Sequence, residues 1–148
     1  VKRVEKKFVE LSIGDDLPPF TISETQESID DAVIHVEGVD FNPRNIHNDP
    51  DFAKSGMFSG TVNGGPTTMA YVCQMLEQWF PAKCFYKSGS LSFKAIRPIR
   101  PGDTVKFTGK VTGKRSEGAA RFVDCCIEGK NQNQVVVGVA EATVCLSG

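Results

Sequence analysis

Asn63-Gly64-Gly65-Pro66-Thr67-Thr68-Met69-Ala70-Tyr71-Val72-Cys73-Gln74-Met75-Leu76 is the stretch on which the reading of this chain turns. Proline suits a helix's first turn, where a backbone N–H would have no intrahelical partner. Met69, Val72, Cys73, Leu76, Trp79 and Phe80 then recur at helical spacing and predict one apolar stripe. Ala70 and Tyr71 add to it, and the first charge is Glu77, so a buried helix is expected. Asn63-Gly64 alone also suits a tight hairpin turn, but Pro66 and the stripe argue for the helix.

After this helix the pattern changes, from Lys83 onward, to strands broken at turns. Leu91 to Lys94 alternates, Pro98 and Pro101-Gly102-Asp103 interrupt, and Val105, Phe107, Gly109 and Val111 carry the alternation from Thr104 to Thr112. Gly113 to Gly118 reads as a turn, Ala120 to Glu128 as a strand, Lys130 to Asn133 as a polar turn, and Gln134 to Leu146 as a long last strand. Toward the N-terminus, Gly14 to Pro19 is a turn signal ahead of a short strand at Phe20 to Ser23. Thr25 and Ser28 then offer capping oxygens for a helix from about Ser28 to Glu37. One long helix followed by consecutive strands predicts an α+β domain, a mainly antiparallel sheet wrapped around that helix. The length of 148 residues suits a single domain over residues 1–148. Such a sheet leaves an edge that a second copy can close, and a homodimer or a dimer of dimers is expected.

Composition narrows the function classes. Seventeen basic and 18 acidic residues leave a formal charge of -1, which gives no electrostatic footprint for nucleic acid. No apolar run approaches the roughly 20 residues of a membrane helix. The charged N-terminal stretch does not read as a signal peptide, so a cytoplasmic protein with no membrane partner is expected. The five cysteines show no Cys-x-x-Cys spacing, which predicts buried free thiols instead of a zinc site or a disulfide framework.

The segment 38–62 is rich in Gly, Asn, Asp, Pro and Ser, and a loop of that length within a compact domain is usually functional. One helical turn is expected at Asp49 to Lys54, with Asp49 capping and Pro50 in the first position. Phe52, Met57 and Phe58 are expected to pack the loop down. Within it lies Asp40-Phe41-Asn42-Pro43-Arg44-Asn45-Ile46-His47-Asn48-Asp49-Pro50. A carboxylate and a neutral imidazole facing one water can orient it, take a proton from it and return one elsewhere. Of the two histidines, His35 falls in a predicted helix and only His47 lies on the irregular segment.

These motifs resemble the MaoC-like dehydratases and R-specific enoyl-CoA hydratases of the hotdog fold. The resemblance rests on Asp40-Phe41-Asn42-Pro43 with His47-Asn48-Asp49-Pro50, on Asn63-Gly64-Gly65, and on Gly89 to Lys94 followed by Pro98 and Pro101-Gly102-Asp103-Thr104. It implies that Asp40 and His47 bind the reacting water and that the backbone N–H of Gly64 binds the thioester oxygen. Asp40 would take the proton while His47 polarises the water, or the converse, since coupled groups share their titration. Six residues, Phe41 to Ile46, separate the pair, two more than is usual in the family, so Arg44-Asn45 reads as an insertion, and Asn63-Gly64 stands where His-Gly is common.

The activity so implied is reversible hydration of trans-2-enoyl thioesters to R-3-hydroxyacyl thioesters, with no metal or redox cofactor. Coenzyme A or an acyl carrier would enter only as part of the substrate. Two alternatives stay open. A hotdog thioesterase needs a carboxylate on the helix, and Glu77, far from Gly64, is the only one there. The other is a hotdog subunit that binds acyl thioesters without turnover. Ser59, Thr61, Thr67 and Thr68 suit capping or substrate contact, and Lys83, Lys87, Lys94, Arg97 and Arg100 suit phosphates, an acidic carrier surface or solvated strand faces.

Overall fold

The computed structural model describes residues 3–32, 43–86 and 88–146. Strands Phe20–Ser23 (β1), Ser90–Ala95 (β2), Thr104–Glu117 (β3), Ala120–Asn131 (β4) and Val136–Leu146 (β5) form one antiparallel sheet in the order β1-β3-β4-β5-β2. Among the helices are Gln26–Asp31 (α1), Pro50–Lys54 (α2), Gly65–Leu76 (α3) and Lys83–Tyr86 (α4). The fold is the expected α+β hotdog, with α3 laid against an antiparallel sheet.

The alternation read in the sequence becomes the inner face of that sheet. Val105, Phe107 and Val111 of β3, Val123, Cys125 and Ile127 of β4, and Val137, Ala140 and Val144 of β5 are all buried. They meet one face of α3 formed by Val72, Met75 and Leu76. Gly129 lets this happen, because a Cβ there would lie 2.6 Å from the Phe107 ring.

Several boundaries differ from the sequence reading. β3 runs through Gly113 to Glu117, where a turn was expected. The register shifts between Val111 and Gly113, and a Cβ on Gly113 would sit 2.8 Å from Asp124 Oδ2, so this glycine accommodates a bulge and a close side chain without ending the strand. The chain reverses instead at Gly118, whose φ is +58°. β4 continues to Asn131, whose Oδ1 accepts from the amides of Asn133 and Val135, and β5 therefore starts at Val136. A short helix, α4, occupies the start of the region read as strands, its first turn closed by bonds from Cys84 N to Pro81 O and Phe85 N to Ala82 O.

The central helix is also turned relative to the predicted stripe. Met75 is fully buried and Met69 is 39% exposed, while Thr68 takes an inward position. Thr68 goes inside because its Oγ1 donates to Asn63 Oδ1 at 2.8 Å, which removes the cost of burying a hydroxyl. The outer face, with Ala70 and Gln74, stays exposed, so the helix is not covered all round. It ends at Leu76, and Phe80 reaches the core from the turn that follows.

α1 begins at Gln26, two residues before the expected start, with Thr25 as cap: Ser28 N donates to Thr25 Oγ1 and Thr25 N to Ser28 Oγ. The rest of the predicted helix, including His35, lies outside the described residues. α2 matches expectation, with Asp49 Oδ1 accepting from Phe52 N at 2.9 Å. Ala53 and Phe58 hold that segment down, but Phe52 and Met57 are exposed, contrary to expectation. All five cysteines are free; Cys84 and Cys125 are buried as predicted, whereas Cys126 is exposed. Burial pushes the Cys125 thiol up to about 12. Among the described residues no helix is long and apolar enough to cross a membrane.

Phe107→Ala should cost roughly 3–5 kcal/mol in urea denaturation, the penalty of emptying a packed aromatic site. Met57→Ser, at an 87% exposed position, should stay within about 0.5 kcal/mol. An equal loss in both would contradict the core assignment.

Candidate active site

His47 sits on a loop that its own polar residues shape. Asn45 Oδ1 accepts from His47 N at 2.7 Å and from Asn48 N at 3.2 Å, while Asn48 Oδ1 accepts from Asn45 N at 2.9 Å. Arg44 Nε donates to Asp49 Oδ2 at 2.5 Å, and this bond holds the Asp49 carboxyl below its ordinary range. Arg44 and Asn45, the two residues that read as an insertion, thus tie the loop to itself.

Three further bonds fasten the loop to the body of the protein. Gln26 Nε2 donates to His47 O at 2.7 Å, Val62 N to Ile46 O at 3.2 Å, and His47 Nδ1 lies 2.7 Å from Val62 O. A carbonyl only accepts, so Nδ1 carries a proton, and in the neutral ring Nε2 presents a lone pair. Among the described residues Nε2 has no protein partner. The ring is half-buried, oriented by its backbone anchors, and equipped to accept a proton or a water hydrogen.

The same cavity that His47 lines reaches the start of α3. It measures about 330 Å³, and Asn63, Gly65 and Thr68 supply the rest of its polar wall near the helix mouth. Phe58, Phe93, Ile96 and Val137 supply apolar wall. Gly138 lets the Phe93 ring lie across β5, because a Cβ there would be 2.7 Å from it. Gly64 is the residue that precedes α3, with φ -76° and ψ 142°, and Gly65 is the first helical residue and the one that lines the cavity. Neither glycine is required by the backbone, and a Cβ on Gly65 would meet nothing within 4 Å. What the two leave is open space before unpaired helix amides: the N–H groups of Gly64 and Gly65 have no protein acceptor among the described residues, and the first turn carries no acidic side chain. The positive end of the helix dipole therefore faces the cavity.

Of the predicted site residues, His47 lines the cavity; Gly64 does not, its neighbour Gly65 lining it instead, and Asp40 lies outside the described residues. Arg97 borders the cavity and is exposed, Arg100 donates to Phe58 O, and Lys83 pairs with Glu5 at 3.6 Å on the surface. Lys94 is exposed on β2, and Lys87 lies outside the described residues. Thr61 Oγ1 donates to Gln26 Oε1 at 2.7 Å, so Thr61 and Thr68 lock side chains in place and do not cap the helix. Glu77 ends α3 and is held by Arg3 at 2.7 Å. Among the described residues, no group of three or more His, Cys, Asp or Glu is placed to hold a metal ion.

Sequence reasoning missed Glu24 and Gln26. Glu24, 1% exposed, accepts from Ser28 Oγ, from Asn63 Nδ2 and from Tyr71 OH at 3.2 Å. The Tyr71 ring packs between Phe20 and Phe107. The available signal was the adjacency of Glu24 and Gln26 to a strand end and a helix cap, but a polar residue there reads equally well as solvated.

The family model described as MaoC like domain matches residues 19–128. No curated protein sequence matches the chain. Among solved structures, the chain is similar to a monoamine oxidase regulatory protein from Archaeoglobus fulgius, at 20% identity over 99% of this chain and 98% of that one, with a TM-score of 0.74. It is similar to a MaoC-like dehydratase from Rhodospirillum rubrum, at 23% identity over 94% of each, TM-score 0.73. It is also similar to the R-hydratase PhaJ1 from Pseudomonas aeruginosa, at 22% identity over 95% of this chain and 88% of that one, TM-score 0.70. At these identities the likeness is one of fold.

Burial, and the Glu24 carboxylate beside it, push the Tyr71 hydroxyl up to about 12. The fold thus favours the neutral phenol, and the linked stability is complete below the usual tyrosine value of about 10 and is lost as pH rises through the folded one. Titration followed in phenolate absorbance should show a late step that Tyr71→Phe removes. A single step at ordinary pH in the folded protein would contradict this arrangement.

Proposed function

Because the chain belongs to the MaoC-like domain family, we propose that it is a hydro-lyase that reversibly hydrates trans-2-enoyl thioesters to R-3-hydroxyacyl thioesters. The observation that carries this reading is that His47 and the first turn of α3 line one cavity. Hydration needs a held water on one side of the double bond and donors for the thioester oxygen on the other, and these are the two polar ends of that cavity.

In the proposed reaction, a water held by His47 Nε2 and the Asp40 carboxylate attacks the β-carbon. Its proton passes to that pair as the C–O bond forms, and the π electrons move onto the thioester oxygen as an enolate. The N–H groups of Gly64 and Gly65 meet this charge, and an N–H of this kind typically contributes about 2.7–4 kcal/mol to lowering the barrier. Return of the proton to the α-carbon restores the carbonyl. The addition is redox-neutral, so it calls for no electron carrier, and coenzyme A or an acyl carrier enters only with the substrate. Phe58, Phe93, Ile96 and Val137 give the acyl chain an apolar wall. Thioester hydrolysis is the weaker reading, because Glu77, the helix carboxylate it would need, is at the far end of α3 and held by Arg3.

A second copy belongs to the proposal, since β1 and β2 stand at the two ends of the sheet order. Sedimentation should give at least twice the 16.1 kDa chain mass, and a 16.1 kDa species would remove the dimer from the reading.

Added to a short trans-2-enoyl-CoA, the protein should bleach the conjugated thioester absorbance. His47→Ala and Asp40→Ala should each lower kcat by about 10²–10⁴-fold, the usual contribution of a positioned acid or base. Gly65→Val, placed where a Cβ meets no protein atom, should fold normally and still lose activity by obstructing the cavity. Unchanged absorbance with wild-type protein, or full activity in His47→Ala, would sink the proposal; release of free thiol would redirect it to hydrolysis.

A further inference from the structure

Glu24 is a carboxylate buried without a cationic partner among the described residues. Charged groups are rarely buried unless paired, and burial on neutral donors alone carries a desolvation cost. Stability by itself is a poor reason for such a group, since apolar replacements of buried charges are often neutral or better. Its bonding suggests another role. Glu24 is rooted at the end of β1, its N–H donating to Asp103 O and its carbonyl accepting from Gly102 N, both at 2.8 Å. From there its Oε2 accepts from Asn63 Nδ2.

Asn63 is the last residue with a side chain before the Gly64-Gly65 pair, and it is fixed at three points. Its N–H donates to Ile99 O at 2.8 Å, its Nδ2 to Glu24, and its Oδ1 accepts from Thr68 Oγ1 at 2.8 Å. The Gly64 carbonyl accepts from Thr67 N and Thr68 N at 3.1 and 3.2 Å, which fixes the Gly64–Gly65 peptide from inside the helix. The Gly64 N–H instead belongs to the peptide after Asn63, and glycine's backbone freedom leaves its direction to that neighbour. Asn63, held at its three points, sets that direction.

We infer that Glu24 is a positioning residue that acts through Asn63 to set the Gly64 amide, and with it the helix start that follows, at the mouth of the cavity. The inference rests on the hydratase reading for its effect on turnover, but not for the geometry itself. Glu24 does not line the cavity, so its effect falls on kcat and leaves KM in place.

The test is a double-mutant cycle. Glu24→Ala should lower kcat on enoyl-CoA about tenfold to a hundredfold, the scale of a small misplacement of catalytic groups, with KM unchanged. Asn63→Ala should lower kcat comparably, and the double variant should lose no more than the worse single one, because both break the same linkage. Glu24→Gln should recover most of the loss, its amide oxygen accepting from Asn63 Nδ2 while its NH₂ donates to the Ser28 hydroxyl. Losses that multiply, or a folded Glu24→Ala protein with wild-type kcat, would overturn the inference.

A second readout needs no turnover: in ¹⁵N-labelled protein the Gly64 and Gly65 amide signals should move in Glu24→Ala and return toward their wild-type positions in Glu24→Gln. If wild-type protein leaves enoyl-CoA untouched, the hydratase reading fails and these signals still decide the positioning role. If they stay in place, the positioning role fails whatever the activity. Should Glu24→Ala not fold, Asn63→Ala at its half-buried position carries the same amide comparison against wild type.

Discussion

Val62 is 3% exposed, and both of its backbone polar groups are spent on one short loop: the N–H on Ile46 O, the carbonyl on His47 Nδ1. Buried backbone groups must be paired, and no strand neighbour serves Val62. The loop does so instead. That requirement sets the imidazole's tautomer, its orientation and its distance from the residue after Val62, which is Asn63 at the mouth of α3. The segment 61–63 is in this sense a strut between the imidazole and the start of α3, and Asn63 N extends it to Ile99 O, another residue that lines the cavity.

Around that strut the polar groups are linked to one another. Gln26 joins Thr61 to the carbonyl of His47, and Glu24 joins Ser28, Tyr71 and Asn63, so two residues just after β1 brace both polar ends of the cavity. Among the described residues, no buried side-chain N or O atom lacks a hydrogen-bond partner. A fully satisfied network of this kind holds one geometry, because any displacement leaves a buried donor or acceptor unpaired. It also explains how a chain with an apolar core can carry Thr68 on the inner face of its central helix.

The two additional residues in the loop before His47 have a use in the same scheme. Asn45 turns the backbone so that His47 follows it at the bend, and Arg44 closes the loop onto the Asp49 cap of α2. A longer loop costs little more entropy to close, while each internal bond reduces its freedom. The lengthening is therefore compatible with a well-held imidazole, and the family's function remains open to this chain.

Residues with strong local preferences were legible before any coordinates: the alternation along β3, β4 and β5, the Asp49-Pro50 helix start, the Gly64 and Pro66 opening of α3, and His47 as a loop residue. Each follows from side-chain period, backbone φ or a missing N–H, properties that neighbours in the chain settle. The facing of α3, the continuation of β3 through Gly113, the exposure of Met57 and the burial of Glu24 were not legible, because each depends on what residues distant in sequence bring to the spot. Thr68 turns inward only because Asn63 is there to accept its hydroxyl, and Glu24 is buried only because Ser28, Asn63 and Tyr71 converge on it. Sequence alone determined the central helix, the main strands and the family they compose. Tertiary structure decided that His47 and the start of α3 share a cavity, since hydrogen bonds between remote segments have no counterpart in local pattern.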